Sequence, residues 1–377
     1  MDEVDILIIG AGVIGLAVAK ELSGKGMDIV VIEKNKSFGQ ETSSRNSEVI
    51  HGGMYCPSGT LKAKTCIEGR RLLYEICQKS KIPHKKIGKL IVATEQEEVK
   101  ALEKLFNQGM ANGVEGIKMI PQAELSTMEP NINGIAALYS PETGIIDSHR
   151  LMQFLMDRAK ENGVIIGFQM EVTGIDKLSG GYKVTIKNNA EVAILKSRII
   201  INCAGLDSDS IAAMPGVDIN SLRYRLYYCK GQYFRVKGNK PGSISRLVYP
   251  VPKPKSGGLG IHATLDLSGS LRLGPDDKYL QNRDKDYSVD DSRKHDFYVS
   301  AKRFMPFLQE SQLSADTSGI RPKLQGLGDD FRDFIIQEEL KNGFPGFINL
   351  IGIESPGLTA SVAIARFVNG LVNSINN

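Results

Sequence analysis

The stretch Asp5–Gly15, DILIIGAGVIG, runs an isoleucine-rich apolar segment straight into three spaced glycines. A helix-period segment, Leu16 to Leu22, follows, and a second apolar run, Asp28 to Ile32, ends at Glu33. Strand, glycine turn, helix and strand close within about 30 residues, the span of a dinucleotide-binding βαβ unit. Each position has its own physical reason. Gly10 permits the tight turn, Gly12 lets the backbone approach a pyrophosphate, and Gly15 lets the helix pack closely on the strand. With Val13 and Ile14 the helix start offers free N–H groups where the dipole favours an anion. Glu33 is placed to accept hydrogen bonds from a ribose diol and would repel a 2′-phosphate, which disfavours NADP; Lys34 follows it in the same turn.

The chain has 377 residues, which at roughly 150 residues per domain suggests two domains with sizeable cores. Forty-seven Lys and Arg against 43 Asp and Glu leave a net charge of +4, with both signs interspersed. No basic-aromatic stripe tracks a nucleic acid, so none is expected as a partner. No apolar run approaches the roughly 18 residues that cross a bilayer, so no transmembrane segment is expected. Cys56, Cys66, Cys77, Cys203 and Cys229 form no CxxC pair, and Met1 is followed by acidic residues. The expectation is a reduced, cytoplasmic protein with no metal site and no disulfide, with peripheral contact at the inner face of a membrane left open.

Three further segments suit one long nucleotide better than a short one. Glu41 to Ser47 (ETSSRNS) offers the hydroxyls of Thr42, Ser43, Ser44 and Ser47, the amide of Asn46 and the guanidinium of Arg45 to a diphosphate. The apolar strand Arg198 to Asn202 leads into Cys203, Ala204 and Gly205, small residues fit to pass beneath a ligand. The strand Phe347 to Ile351 leads into Gly352, then Ser355, Pro356, Gly357 and Leu358, and a helix from Thr359 to about Val372. This third strand, turn and helix start again presents N–H groups to a phosphate or a polarised ring.

Together with GAGVIG, the segments ETSSRNSEVIHGGMY (41–55), GKLIVAT (88–94), ETGIIDSH (142–149), LVYPVP (247–252), GLGIHATLDL (258–267), GIRPK (319–323) and GIESPGLTASVAIA (352–365) resemble the D-amino-acid oxidase class of FAD oxidoreductases, within it the L-2-hydroxyglutarate dehydrogenase-like members. They span nearly the whole chain in order. One departure is HGGMYCP (51–57), where relatives often have HAGIYYP; it bears on substrate preference, not on flavin binding. The resemblance implies an α/β fold, α+β overall: a Rossmann-like FAD-binding domain from residues 1–80, 145–215 and 330–377, interleaved with a β-sheet-rich substrate domain from 81–144 and 216–329. It also places Val172, Arg321 and Thr359 among the cofactor-binding residues.

Strands are expected over Lys89–Ala93, Tyr224–Val236, Ser245–Val251, Leu259–Leu267 and Leu271–Leu273, and helices over Gln96–Gln108 and Asp290–Phe304. The lysine-bearing runs GTLKAK (59–64) and HKKIGK (84–89) read as solvated faces.

Oxidation of a 2-hydroxy acid needs a hydride acceptor, a base for the hydroxyl proton and cations for the carboxylates. The flavin supplies the first. Of five histidines, His51 and His262 lie in segments that should converge on the ring, and the residues leave the base open between them. His51 precedes Gly52 and Gly53, which allow close backbone approach to a planar ring. Arg321 is the leading carboxylate ligand, because a guanidinium makes bidentate bonds and Pro322 stiffens its strand. Lys323 and Lys230 are candidates for a second carboxylate, and Tyr249 for a phenol donor to substrate. The implied activity is an FAD-dependent dehydrogenase acting on an L-2-hydroxy acid, with a glycine or sarcosine oxidase-like amine oxidase as the alternative. Quinone and oxygen both remain open as electron acceptors, and so do covalent and noncovalent flavin attachment.

Overall fold

The computed structural model describes residues 2–188, 191–238, 242–252 and 260–376. Gly258 and Leu259 of the GLGIHATLDL segment lie outside them.

The first strand, Asp2–Ile9, sits inside an eight-stranded sheet. It pairs in parallel with Ile29–Glu33 on one side and with Glu191–Asn202 on the other. Ile165–Phe168 continues the parallel set beyond Ile29–Glu33, and Phe344–Ile351 continues it beyond Glu191–Asn202, with Asn202 opposite Asn349. The runs DILII and RIIIN are apolar without alternation because both faces of these strands are covered, as a parallel sheet requires. Ile6, Ile8, Ile199 and Ile201 pack into the core shared with helices Val13–Leu22, Leu61–Ser80, Ser148–Glu161 and Gly357–Asn376. Leu7, Ile9, Ile200 and Phe347 pack on the other side, with Val172, Tyr182 and Val184 of the antiparallel ribbon 171–188. Gly10, Glu33, Cys203 and Gly352 thus stand at the carboxyl ends of four adjoining parallel strands, the edge at which open α/β sheets take ligands.

A nine-stranded mixed sheet forms the second layer. Its long pair, Tyr227–Val236 and Leu313–Lys323, is antiparallel with Cys229 opposite Arg321. Leu247–Pro250 runs parallel to Lys89–Ala93, placing Leu247 beside Lys89. The strands expected at Lys89–Ala93 and Leu271–Leu273 match in extent. The one expected over Leu259–Leu267 is only Ala263–Leu265 among the described residues, since Gly260 takes a positive φ of 79° and His262 folds its ring back on it. The helix expected over Asp290–Phe304 divides into a 3₁₀ turn, Asp291–Arg293, and a helix, Lys294–Lys302.

Two expectations are corrected. Gly357–Asn376, at mean hydropathy 1.3, is long and apolar enough to cross a bilayer by length and composition alone. Half of it is buried within the fold, with Ala360, Ile364, Val368 and Val372 in the core of the eight-stranded sheet's helix layer, and that burial accounts for its apolar stripe. The lysine runs are not solvated throughout either: Lys62 is 5% exposed and Lys89 0%. Both carry helix or strand periodicity into the interior, and each has a buried environment built around it, described below.

Candidate functional site

A cavity of about 860 Å³ lies between the two sheets, within the range of enclosed ligand sites. At one end it is walled by Gly10, Gly12, Val13, Ile14, Glu33 and Lys34, and at the other by His51, Tyr249, His262, Arg321 and Lys323. Thr42, Ser43, Arg45, Asn46, Ser47, Val172, Ala204 and Gly205 also line it, as do Ser355, Pro356, Gly357 and Leu358 of the C-terminal turn. Glycine bends more than 300 residues apart in sequence therefore face one space.

The first bend is built by sterics. Gly10 has φ 106°, and a Cβ there would lie 2.5 Å from the Cys203 carbonyl oxygen. A Cβ at Gly15 would overlap the Gly10 carbonyl oxygen, so Gly15 is a packing residue behind the wall and does not line it. Helix Val13–Leu22 starts at Gly12 without a side-chain cap, and Ser43 Oγ accepts from the Val13 N–H at 3.0 Å. Glu33, buried at the end of its strand, accepts from the Ala11 N–H through Oε2 and from the Asn35 N–H through Oε1, both at 2.9 Å. That carboxylate is anchored at the mouth of the glycine turn. Lys34 is neutralised by Asp207 and Glu41, which also hold Lys285.

Four further expected positions stand off the wall. Ser44 turns back to donate to the Gly39 carbonyl. Thr359 is fully buried, its hydroxyl accepting from the His51 N–H at 3.0 Å and donating to Val49 O, so it pins the backbone of the His51 segment. Gly352 (φ 72°) meets Leu324, where a Cβ would be 2.5 Å from that side chain. Lys230 alternates to the face opposite Gly231 and pairs with Asp286 at 2.8 Å, so it is withdrawn from the cavity and from any second carboxylate there.

The chemistry-bearing wall combines two neutral bases with buried cations. His262 Nδ1 lies 2.9 Å from Gly260 O, a carbonyl that can only accept, so Nδ1 carries the proton and Nε2 keeps its lone pair. His51 Nε2 is 3.3 Å from Ser355 Oγ. Burial, then the neighbouring Lys89 and His262, holds His51 down at about 3. His262 is also held at about 3, by burial first and by Lys89 and Arg321, against the opposing pull of the Gly260 carbonyl. Both imidazoles are therefore uncharged at neutral pH. Arg321 donates to Asp276 O at 2.7 Å, which fixes its fork.

Sequence reasoning passed over the residues around this core. Glu354, buried, takes Lys323 Nζ at 2.9 Å and Lys62 Nζ at 3.1 Å. Burial would raise its carboxyl, but the two ammonium groups outweigh that and hold it down at about 2. The signal for Lys62 was the spacing 62, 66, 69, 70, 73, 77 on the buried face of helix Leu61–Ser80. Tyr55 and Cys56 line the cavity from the HGGMYCP segment.

A flavin dinucleotide fits these residues. The glycine turn is a cradle that a Cβ would fill, and Arg45 Nε is buried with no partner among the described residues while its guanidinium sits 4.0 Å over the Tyr287 ring. One cavity is lined by both that cradle and the histidine wall.

Residues 5–370 match the family described as "FAD dependent oxidoreductase" (DAO). The chain is 38% identical over 407 residues to the mitochondrial L-2-hydroxyglutarate dehydrogenase of Arabidopsis thaliana, covering 97% of this chain and 83% of that protein. It is 32% identical to a glycerol 3-phosphate dehydrogenase of Caloramator mitchellensis, covering 98% and 74% respectively. Among solved structures, an FAD-bound L-alpha-glycerophosphate oxidase from Mycoplasma pneumoniae superimposes with TM-score 0.88 at 31% identity, over 99% of this chain and 95% of that one.

Proposed function

The chain belongs to the DAO family of FAD-dependent oxidoreductases, and from that premise we propose that it oxidises L-2-hydroxyglutarate to 2-oxoglutarate. The observation that carries the reading is that a half-buried guanidinium, Arg321, shares one cavity with two neutral imidazoles, His51 and His262. An anion and a proton-bearing hydroxyl can be held there together.

When bound, FAD supplies the two-electron acceptor for the hydride on C2 of the substrate. The glycine turn, Ser43 and Arg45 would hold its diphosphate, Glu33 its ribose, and the Ser355–Leu358 turn its ring end. Arg321 clamps the carboxylate next to C2 in a fork geometry that orients the C2–H bond. His262 Nε2 accepts the hydroxyl proton as the C2–O bond becomes a carbonyl, while Gly260 keeps the imidazole in the required tautomer. His51 Nε2 holds the Ser355 hydroxyl of the C-terminal turn. Lys323, which lines the cavity and shares Glu354 with Lys62, is suited to the distal carboxylate of a diacid.

The identity to glycerol 3-phosphate enzymes favours one second reading, oxidation of a secondary alcohol next to a phosphate. Anaerobic bleaching of the flavin at its visible maximum separates the readings. L-2-hydroxyglutarate is expected to reduce it, and its D-enantiomer, glycerol 3-phosphate, glycine and sarcosine to leave it oxidised. Reduction by glycerol 3-phosphate alone reverses the order, and reduction by glycine or sarcosine alone moves the chain to the amine oxidases. For reoxidation we propose a quinone; a reduced enzyme that reoxidises in air as fast as with a water-soluble quinone contradicts that choice.

A further inference from the structure

Lys89 opens a strand of the substrate-side sheet and is completely buried, yet among the described residues its Nζ has no hydrogen-bond partner. An ammonium in that state has lost its water without gaining an acceptor, so it persists only where something else offsets the desolvation. Two aromatic faces provide the offset. Nζ lies 4.4 Å from the Tyr55 ring centroid and 4.6 Å from that of Tyr249. His262 occupies the other face of Tyr249, stacked at 3.7 Å and 15°. The layers run Tyr55, Lys89, Tyr249, His262, and every member except Lys89 lines the cavity.

Among the described residues, the titratable groups facing Lys89 directly supply no negative charge. Burial raises the phenols of Tyr55 and Tyr249, and on helix Leu61–Ser80 it pushes the Cys66 thiol up to about 12, so all three stay neutral. His51 and His262 are neutral, Arg70 on the same helix donates to Gly52 O and pairs with the solvent-exposed Glu115 at 3.4 Å, and Arg321 is a further cation beyond His262. Among the described residues no carboxylate is paired with Lys89, in contrast to Lys62 and Lys323, which share Glu354. The complementary charge has to arrive with the ligand.

We propose that Lys89 is a positioning residue: an internal cation that acts through the Tyr249–His262 stack to favour an anionic substrate it never touches. The inference rests on the reading that the cavity takes a carboxylate-bearing hydroxy acid. Burial draws the Lys89 amine down to about 7, against a small opposing pull from Cys66. It is then charged below that pH and neutral above it, so its help to an anion is present on the acid side and lost as pH rises.

The test is the Kd of 2-oxoglutarate for the FAD-loaded enzyme between pH 6 and 8.5, read from the perturbed flavin absorbance, with melting temperatures recorded for every variant. The ligand keeps both negative charges across that range. Wild-type affinity is expected to weaken about tenfold as pH rises, Lys89→Met to bind weakly with no pH dependence, and Lys89→Arg to bind tightly with none. A folded Lys89→Met enzyme with the wild-type curve overturns the proposal, and so does a flat wild-type curve. If Lys89→Met does not fold, Lys89→Arg decides: a curve that still falls by the wild-type amount overturns it. Failure of the wild-type enzyme to bind 2-oxoglutarate at any pH overturns the substrate reading and this inference with it.

Discussion

Tyr249 and His262 lie ring on ring, with centroids 3.7 Å apart and planes 15° from parallel. The stack fixes the plane of the imidazole, and the bond to Gly260 fixes its tautomer, so one nitrogen is committed and the other is left for substrate.

If His262 is the base, His262→Asn should lower kcat by about 10²–10⁴-fold. His51→Asn should cost only about tenfold in the same assay, because its ring nitrogen contacts Ser355. Stopped-flow flavin reduction measures both, and a larger loss for His51→Asn would transfer the role of base to His51. Tyr249→Phe keeps the stack and should stay within about threefold of wild type, whereas Tyr249→Leu, which frees the imidazole, should lose about tenfold or more.

Arg321→Lys should raise KM for the hydroxy acid by about 100-fold with a smaller change in kcat. A point charge on a flexible stem cannot reproduce the fork that Asp276 O holds in place. Steady-state kinetics at saturating acceptor gives both constants; an unchanged KM would remove Arg321 from the carboxylate site.

Glu354 makes stability depend on acidity. Its carboxyl titrates at about 2 in the folded chain against 4.5 for the free group. The stabilisation is therefore complete above 4.5 and is lost as pH falls from there towards 2, a contribution of about 3 kcal/mol. Glu354→Gln should melt well below wild type at pH 7, and the gap should narrow as pH drops below 4.5. A gap that stays constant down to pH 3 would contradict the assignment.

Gly15→Ala should yield protein depleted of FAD, because the added methyl would have to displace the Gly10 carbonyl that shapes the cofactor turn. The absorbance ratio of flavin to protein, measured after purification, should fall by at least about half. Full flavin content would show that the turn tolerates the shift.

The parallel sheet, the glycine turn and the C-terminal bend were legible in the sequence because their signals are local. A turn needs its glycines in a row, and a doubly covered strand needs an unbroken apolar run. Arg321 and both histidines were legible by motif, but not the tautomer of His262, which depends on a carbonyl two residues back folding into reach. Lys62, Lys89 and Glu354 were not found as site residues. A lysine at the start of an element looks solvated unless its partners are known, and theirs come from residues 292 positions away for Lys62 and 160 for Lys89. Lys230 erred in the opposite sense. It neighbours Gly231 on the wall, but the twofold period of its strand turns it to the other face, where Asp286 waits.

Gly319, two residues before Arg321, crosses the Arg45 backbone so closely that a Cβ would overlap the Arg45 carbonyl oxygen. Thr42 Oγ1 bonds Ile320 O at 3.1 Å just alongside. The seam between the substrate-side strand and the phosphate-side loop is welded there. The strand that carries Arg321 and the loop that carries Arg45 therefore behave as one piece, and the spacing between those two guanidinium groups on the cavity wall is set by backbone contact.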